Sequence, residues 1–269
     1  MKIGIYTALS CAVGLLMFSQ TYAASITVPS AEASTISEAM IHARRGDTIW
    51  VERGVYREHV LMAPGVALIS RSLFGAVIDG GGKGTVVTMG RNNIISGFEI
   101  KNGTIGIFSD GPGVEIRDCR IVNNWQTGII TVRHLPVIED NIIAFNRGSG
   151  IQGWDVRTTA SSINHNSIAF NGNHGIALGG NSEVIIENNV VAYNERFGLK
   201  VLDHEENVQV VDNNFYRNLY SPHPYPPGNF SFDPAFIAPR TSMNFKSDPT
   251  LCCKTKSSDN EDLGARLNY

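Results

Sequence analysis

The chain has 269 residues, 42% of them hydrophobic and only 17% charged, with a formal charge of −3. That hydrophobic share excludes a disordered chain, and the absence of a basic stripe excludes nucleic acid as a partner. Glycine is high at 27 residues and Asn crowds the middle of the sequence. The balance argues against a helical bundle and for many short strands joined by tight turns.

The first 23 residues read as a signal peptide. Lys2 is the positive end, Ile3 to Phe18 is apolar, and Thr21-Tyr22-Ala23 offers the small residues a signal peptidase reads. Cleavage is expected after Ala23, giving an exported chain, periplasmic or extracellular. No later segment is apolar enough to span a bilayer, so no transmembrane segment is expected in the mature chain.

Thr35-Ile-Ser-Glu38 is a capping box. Ile36, Ala39, Met40 and Ala43 then share one helical face and Gly46 is the expected stop, so a short amphipathic helix is predicted to cap the first coil. Strands follow at Asp47 to Val51, at Val66 to Ser70 and from Thr85. Arg57, Glu58 and His59 read as surface residues of an early coil.

From there one phrase recurs: Asn, four residues, Asn, three residues, Gly, then an aliphatic residue. It is written at Asn141 to Ile151, Asn166 to Ile176 and Asn189 to Leu199, with looser copies at Gly97 to Ile107, Cys119 to Ile129 and Asn213 to Asn218. The second Asn falls at 102, 124, 146, 171, 194 and 218, so successive spacings are 22, 22, 25, 23 and 24 residues. Such a period is too short for two helices and lacks the leucine spacing of leucine-rich repeats. It fits one coil of three short strands, with Ile, Val and Phe pointing inward. Asn suits the turns through its tolerance of left-handed backbone and its amide, which can bond to its own copy about 4.8 Å away in the next coil. Gly before the third strand supplies positive φ or close approach. The predicted fold is an all-β right-handed parallel β-helix over residues 24–220, including the N-terminal cap.

After Tyr220 the composition changes. Pro222, Pro224, Pro226 and Pro227 forbid regular pairing, and the tail over 221–269, with Phe230, Phe232, Phe236 and Phe245, is expected to be irregular and to pack on the solenoid. The mature chain has three cysteines. Cys119 stands at a position otherwise filled by Asn and is expected to be a buried thiol, while adjacent Cys252 and Cys253 leave a vicinal disulfide or an intermolecular bridge open.

Thr35-Ile-Ser-Glu-Ala39, Gly46-Asp-Thr-Ile-Trp-Val51, Gly54-Val-Tyr-Arg-Glu58 and Val77-Ile-Asp-Gly-Gly-Gly82 resemble the opening coils of bacterial members of the pectin-lyase-like superfamily. Asp233-Pro-Ala-Phe236 and Asp262-Leu-Gly-Ala265 resemble the closing segment of similar exported proteins. The resemblance covers nearly all of the mature chain and implies the fold. It implies no single activity, because that scaffold hosts lyases, hydrolases, esterases, epimerases and inert members. The Arg-x-Pro-x-x-Arg phrase of pectate lyases is missing, the nearest string being Arg133-His-Leu-Pro136. The Gln and paired-Asp phrases of pectin methylesterases and the Asp cluster of polygalacturonases are not found.

Coil length varies almost wholly in the loop after the Gly-aliphatic strand, which makes that flank the natural place for function. It carries Arg133 and His134, then Trp154, Asp155 and Arg157, then Gly179 and Gly180, then Lys200, Asp203, His204, Glu205 and Glu206. Asp155 and Asp203 stand two coils apart, roughly 9.6 Å between backbones. That is near the roughly 6.5–9.5 Å separating the carboxyls of inverting glycosidases. These two are the catalytic candidates, with Gly179-Gly180 as the floor of a groove between them. Trp154 is the candidate for stacking on a pyranose, and Arg157, Lys200, Arg133 and His204 are candidate substrate contacts. Loop residues of these types are more often simply solvated, and that reading stands beside the catalytic one. No cofactor is evident; Asp203, Glu205 and Glu206 offer oxygen ligands for calcium without an ordered motif. His134, His165 and His174 share no metal-ligand spacing, which gives metal delivery little support. The leading expectation is a protein that engages an extended polysaccharide along the solenoid flank, with binding and cleavage undivided. The alternative is a non-enzymatic scaffold of the cell envelope.

Overall fold

Ile116, Ile138, Ile163 and Ile186 sit side by side in register on four successive coils, all fully buried. In the computed structural model, which describes residues 23–157, 161–181, 183–220, 226–248 and 262–266, such aliphatic columns line the inside of a parallel solenoid. Burying each such side chain contributes about 1.5–3 kcal/mol, and the columns run unbroken from coil to coil. The result is a right-handed β-helix whose chain passes through three parallel sheets in each coil. The first has nine strands, from Ser25–Val28 to Val208–Val211; the second has eight, from Gly54–Tyr56 to Asn214–Tyr216; the third has seven, from Val60–Leu61 to Leu199–Val201.

Both Asn residues of the repeated phrase form ladders. Between the first and second sheets, Asn141, Asn166, Asn189 and Asn213 each donate Nδ2 to Oδ1 of the next, at 2.8–3.0 Å, and Asn213 donates to Asn229 at 3.0 Å. Between the second and third sheets the ladder runs Asn124, Asn146, Asn171, Asn194, Asn218 at 2.9–3.0 Å. The left-handed backbone falls on the residue before each Asn rather than on the Asn itself. Phe145, Phe170 and Tyr193 hold φ near +57°, and Asp140, His165 and Asn188 do so in the other turn. The reason is geometric: the ladder Asn must aim its amide inward along the axis, so the residue before it takes the bend and points outward. Asn102 is therefore not a rung. It occupies the bend at φ +56°, and Gly103 stands in register, donating its N–H to Asn124 Oδ1 at 2.9 Å. Cys119 fills the equivalent place in the other ladder, buried and free, its N–H bonded to Asn141 Oδ1 at 2.9 Å.

The cap forms as expected, with two differences. The helix spans Ile36–His42 with both bonds of the capping box, and Ile36, Ala39 and Met40 are buried. It ends at Ala43 rather than at Gly46, because Ala43 turns extended and the Asp47 carboxylate accepts the next N–H, from Arg44. Glu58 is not merely a surface residue: its carboxylate takes the N–H groups of Ile36 and Ser37 at 3.0 and 2.8 Å, at the positive end of the helix. The tail also contains regular structure, an antiparallel pair of Phe236–Ala238 with Asn244–Ser247. Phe245 is buried against Ala144 and Ala169 on the outside of the second sheet, and Arg266 binds Asp140 and Glu139 at 2.8 and 3.0 Å. Cys252, Cys253 and residues 1–22 of the expected signal peptide lie outside the described residues.

Candidate functional site

The longest strand of the third sheet, Ile151–Val156, pairs with Ile176–Gly180, but the register shifts between Gly153 and Val156. Gly153 faces Leu178 and Val156 faces Gly180, so Trp154 and Asp155 together oppose Gly179 alone. Trp154 points outward by the ordinary alternation from Ile151, in register with Val132, and the bulge turns Asp155 outward as well. Asp155 takes the bend at φ +48°, and Trp154 is left 48% exposed. Gly180 is required by the close approach. At φ +117°, a Cβ there would lie 2.4 Å from the backbone N and O of Val156.

Asp155 joins a groove of about 540 Å³ lined also by Arg157, Gly180, Asn181, Asp203 and His204. Arg157 pairs with Asp155 at 2.8 Å. Asp203 enters none of the ion pairs among the described residues, and its carboxylate lies above Gly179. A small apolar hollow lined by Val156, Leu178, Gly179 and Val201 continues below. His204 Nδ1 meets Glu206 Oε1 at 3.1 Å, and the Glu206 carboxyl lies below the usual range through its own backbone N–H and the His204 contact. One coil earlier, Arg133 pairs with Asp110 at 3.4 Å, and its backbone brackets the bulge by accepting from Arg157 N–H and donating to Trp154 O.

The structure thus brings Asp155, Arg157, Asp203 and His204 around one groove, with Trp154 and Arg133 beside it and Gly180 as floor. It separates Lys200 from them. Lys200 is in register with Ala177 on the outer face of the third sheet, and its Nζ lies 5.3 Å from the Phe197 ring at the opposite edge. Counting five residues from the repeat Gly locates Asp203 well, but side chains alternate along a strand, so position 200 faces outward from the sheet instead of along the loop. Asn181 and Asp110 were missed; nothing marks either beyond its place in the variable loop.

A solenoid with three parallel sheets, a helical cap and laddered turns is a right-handed β-helix protein of the pectin-lyase-like type. The family model of NosD, described as a periplasmic copper-binding protein, matches residues 34–225, and the chain belongs to that family. Among solved structures it is similar to the pectate lyase Pel9A, at 16% identity over 92% of this chain and 90% of that one, with a TM-score of 0.55. It is also similar to an alginate lyase from Paenibacillus sp. str. FPU-7 (14%, 72% and 77%, 0.42) and to the A-module of the mannuronan C-5 epimerase AlgE4 of Azotobacter vinelandii (16%, 68% and 64%, 0.47). No curated protein matches the sequence. No helix among the described residues is long and apolar enough to cross a membrane.

The described residues do not fit a copper centre. No three His, Cys, Asp or Glu side chains among them are grouped to hold a metal ion, and this includes the acidic run Asp203 to Glu206 expected to offer calcium ligands. The Cys119 thiol, fully buried, is pushed up to about 12 and stays protonated, whereas a copper ligand must be a thiolate. His134 Nδ1 is taken by Asp110 O at 3.1 Å and His174 Nδ1 by the Phe197 N–H at 3.3 Å.

Proposed function

We propose that this chain is an exported, periplasmic β-helix protein that binds an extended polysaccharide along the loops joining the third sheet to the first. The observation that carries the reading is the bulge at Trp154-Asp155. It turns Asp155 into a groove holding two carboxylates, a guanidinium and an imidazole over a glycine floor, next to the exposed indole of Trp154. An indole face suits the apolar face of a pyranose, and the charged groups suit its hydroxyls. Export rests on the leader-like residues 1–23 and on the family's periplasmic description. The likeness to Pel9A supports the fold and nothing about the sugar.

Turnover of the bound sugar is a second reading, favoured by one fact: Asp155 and Asp203 line the same groove from coils two apart. Arg157 holds the Asp155 carboxylate at 2.8 Å and Asp203 stands outside the ion pairs of the described residues, two carboxyls on one groove that hydrolysis would divide between a base and an acid. The test is a calorimetric panel of neutral and acidic polysaccharides against the mature chain and Trp154→Ala. Binding lost in the variant supports the reading; a flat panel overturns it in favour of an envelope scaffold. Release of reducing ends that survives in both Asp155→Asn and Asp203→Asn would sink the carboxylate pair.

A further inference from the structure

The edge of the third sheet opposite the groove carries a second cluster that the flank reading does not use. His174, Phe197 and Tyr220 lie ring beside ring on three successive coils, the first pair stacked and the second tilted by 39°, with ring centroids 5.6 and 5.5 Å apart. Phe197 and Tyr220 are paired through their backbones, and Tyr220 is 52% exposed. Arg196 and Lys200 both stand close enough to His174 to act on its charge, and Lys200 Nζ lies over the Phe197 ring at 5.3 Å. Neither cation enters an ion pair among the described residues, in a chain where acidic residues outnumber basic ones 25 to 22. The one acid in the same turn is Glu195.

The state of His174 follows from its surroundings. Its Nδ1 accepts the Phe197 N–H at 3.3 Å, which leaves Nε2 to carry the ring proton. Burial, then the nearby positive charges of Arg196 and Lys200, hold its pKa below the ordinary value, so near neutral pH it is an uncharged donor. Two unpaired cations, an imidazole N–H and a ladder of ring faces make up what a carboxylated pyranose needs: charge-assisted bonds for the carboxylate and a face for the ring.

We propose that this edge is a subsite for an acidic sugar residue, with Arg196, Lys200 and His174 binding the carboxylate and Phe197 and Tyr220 the ring. The inference rests on reading the chain as a glycan-binding protein, and it names the class of glycan. The test is titration of the mature chain with a trigalacturonic acid and with its methyl ester, which lacks the charge and carries a methyl on each carboxyl, at low salt. The acid should bind about tenfold tighter than the ester, as expected for charge-assisted bonds. The double variant Arg196→Gln/Lys200→Gln should erase that difference, and Tyr220→Ala should weaken both ligands. Equal affinity for acid and ester, or an acid preference untouched by the double variant, overturns the subsite. Trp154→Ala in the same titration separates the two ideas. Binding kept in Trp154→Ala but lost in the double variant upholds this edge and removes the flank. The reverse pattern upholds the flank alone, and no binding of either ligand removes this edge while leaving the flank to the panel of neutral polysaccharides.

Discussion

Asn171 donates its side-chain N–H to the Oδ1 of Asn194 at 2.9 Å while its backbone N–H reaches the same oxygen at 3.1 Å. Its own Oδ1 accepts the same two groups from Asn146, at 3.2 and 3.0 Å, and its Nδ2 also bonds Ile143 O at 3.0 Å. One buried amide therefore satisfies both neighbouring coils. Asn171→Ala should leave several buried polar groups without partners and lower stability by about 3 kcal/mol or more. Asn229→Ala, at the partly exposed end of the other ladder, should cost less than half of that. Urea unfolding followed by circular dichroism measures both. Equal losses at the two positions would show that burial between two coils adds nothing to a rung, and no loss at Asn171 would show that the ladder is not what stabilises the coils.

Gly150 precedes a third-sheet strand, and a Cβ on it would sit 2.7 Å from Gly175 O and 3.0 Å from Asn171 Nδ2. The sequence left positive φ and close approach both open; it is close approach that demands glycine here. Gly150→Ala should cost about 1–3 kcal/mol through overpacking, even though alanine is otherwise less costly to order. An unchanged or raised melting temperature would mean that the coils can slide apart without loss.

Two carboxylates on the solenoid wall should titrate with opposite sign. Burial alone would raise the Glu99 pKa, but Lys101 and Arg120, bonded at 2.6 and 2.8 Å, hold it below the ordinary value. Its contribution is present above the unfolded-state pKa and is lost as pH falls through the lowered one. Asp118 is raised by burial and by the nearby Asp140. Its penalty is full above the raised pKa and gone once pH has fallen below the unfolded value. Glu99→Gln should therefore destabilise at pH 7 by about 2 kcal/mol through weakened charge-assisted bonds, with a smaller loss at low pH. Asp118→Asn should stabilise at pH 7 and do nothing in acid, since Asn keeps the bend at φ +51° and can still accept from Ser96. Thermal melts across pH 3–8 check both; matching signs at neutral pH would refute the assignment.

The coils were legible because a ladder writes the same residue at the same place each time, and Asn124, Asn146, Asn171 and Asn194 repeat it in plain sequence. What was not legible depends on contacts without a period. Nothing near Glu58 says that its carboxylate closes a helix about twenty residues earlier, and nothing in Arg266 points to Asp140. In the candidate site, the register of Asp203 could be counted from the repeat glycine. The bulge that turns Asp155 outward could not, because it arises from one extra residue against Gly179. Lys200 shows the limit from the other side, since a correct position in the loop count said nothing about the face its side chain takes.

Gly180 offers the sharpest separation of structure from binding at the groove. Its φ of +117° and the 2.4 Å approach to Val156 mean that Gly180→Ala must displace the partner strand where the bulge begins. The strain and the overlap together should cost about 1–3 kcal/mol. Because Asp155 is held outward by that register shift, the same change should weaken glycan binding at the flank. Trp154→Ala removes a half-exposed ring and should leave the melting temperature within a degree or two of the parent, while losing the same binding. Gly180→Ala that binds normally would mean that the aim the bulge gives Asp155 does not matter to the sugar. Trp154→Ala that melts several degrees lower would make the indole a packing residue, and its loss of binding would then carry no weight for a sugar contact.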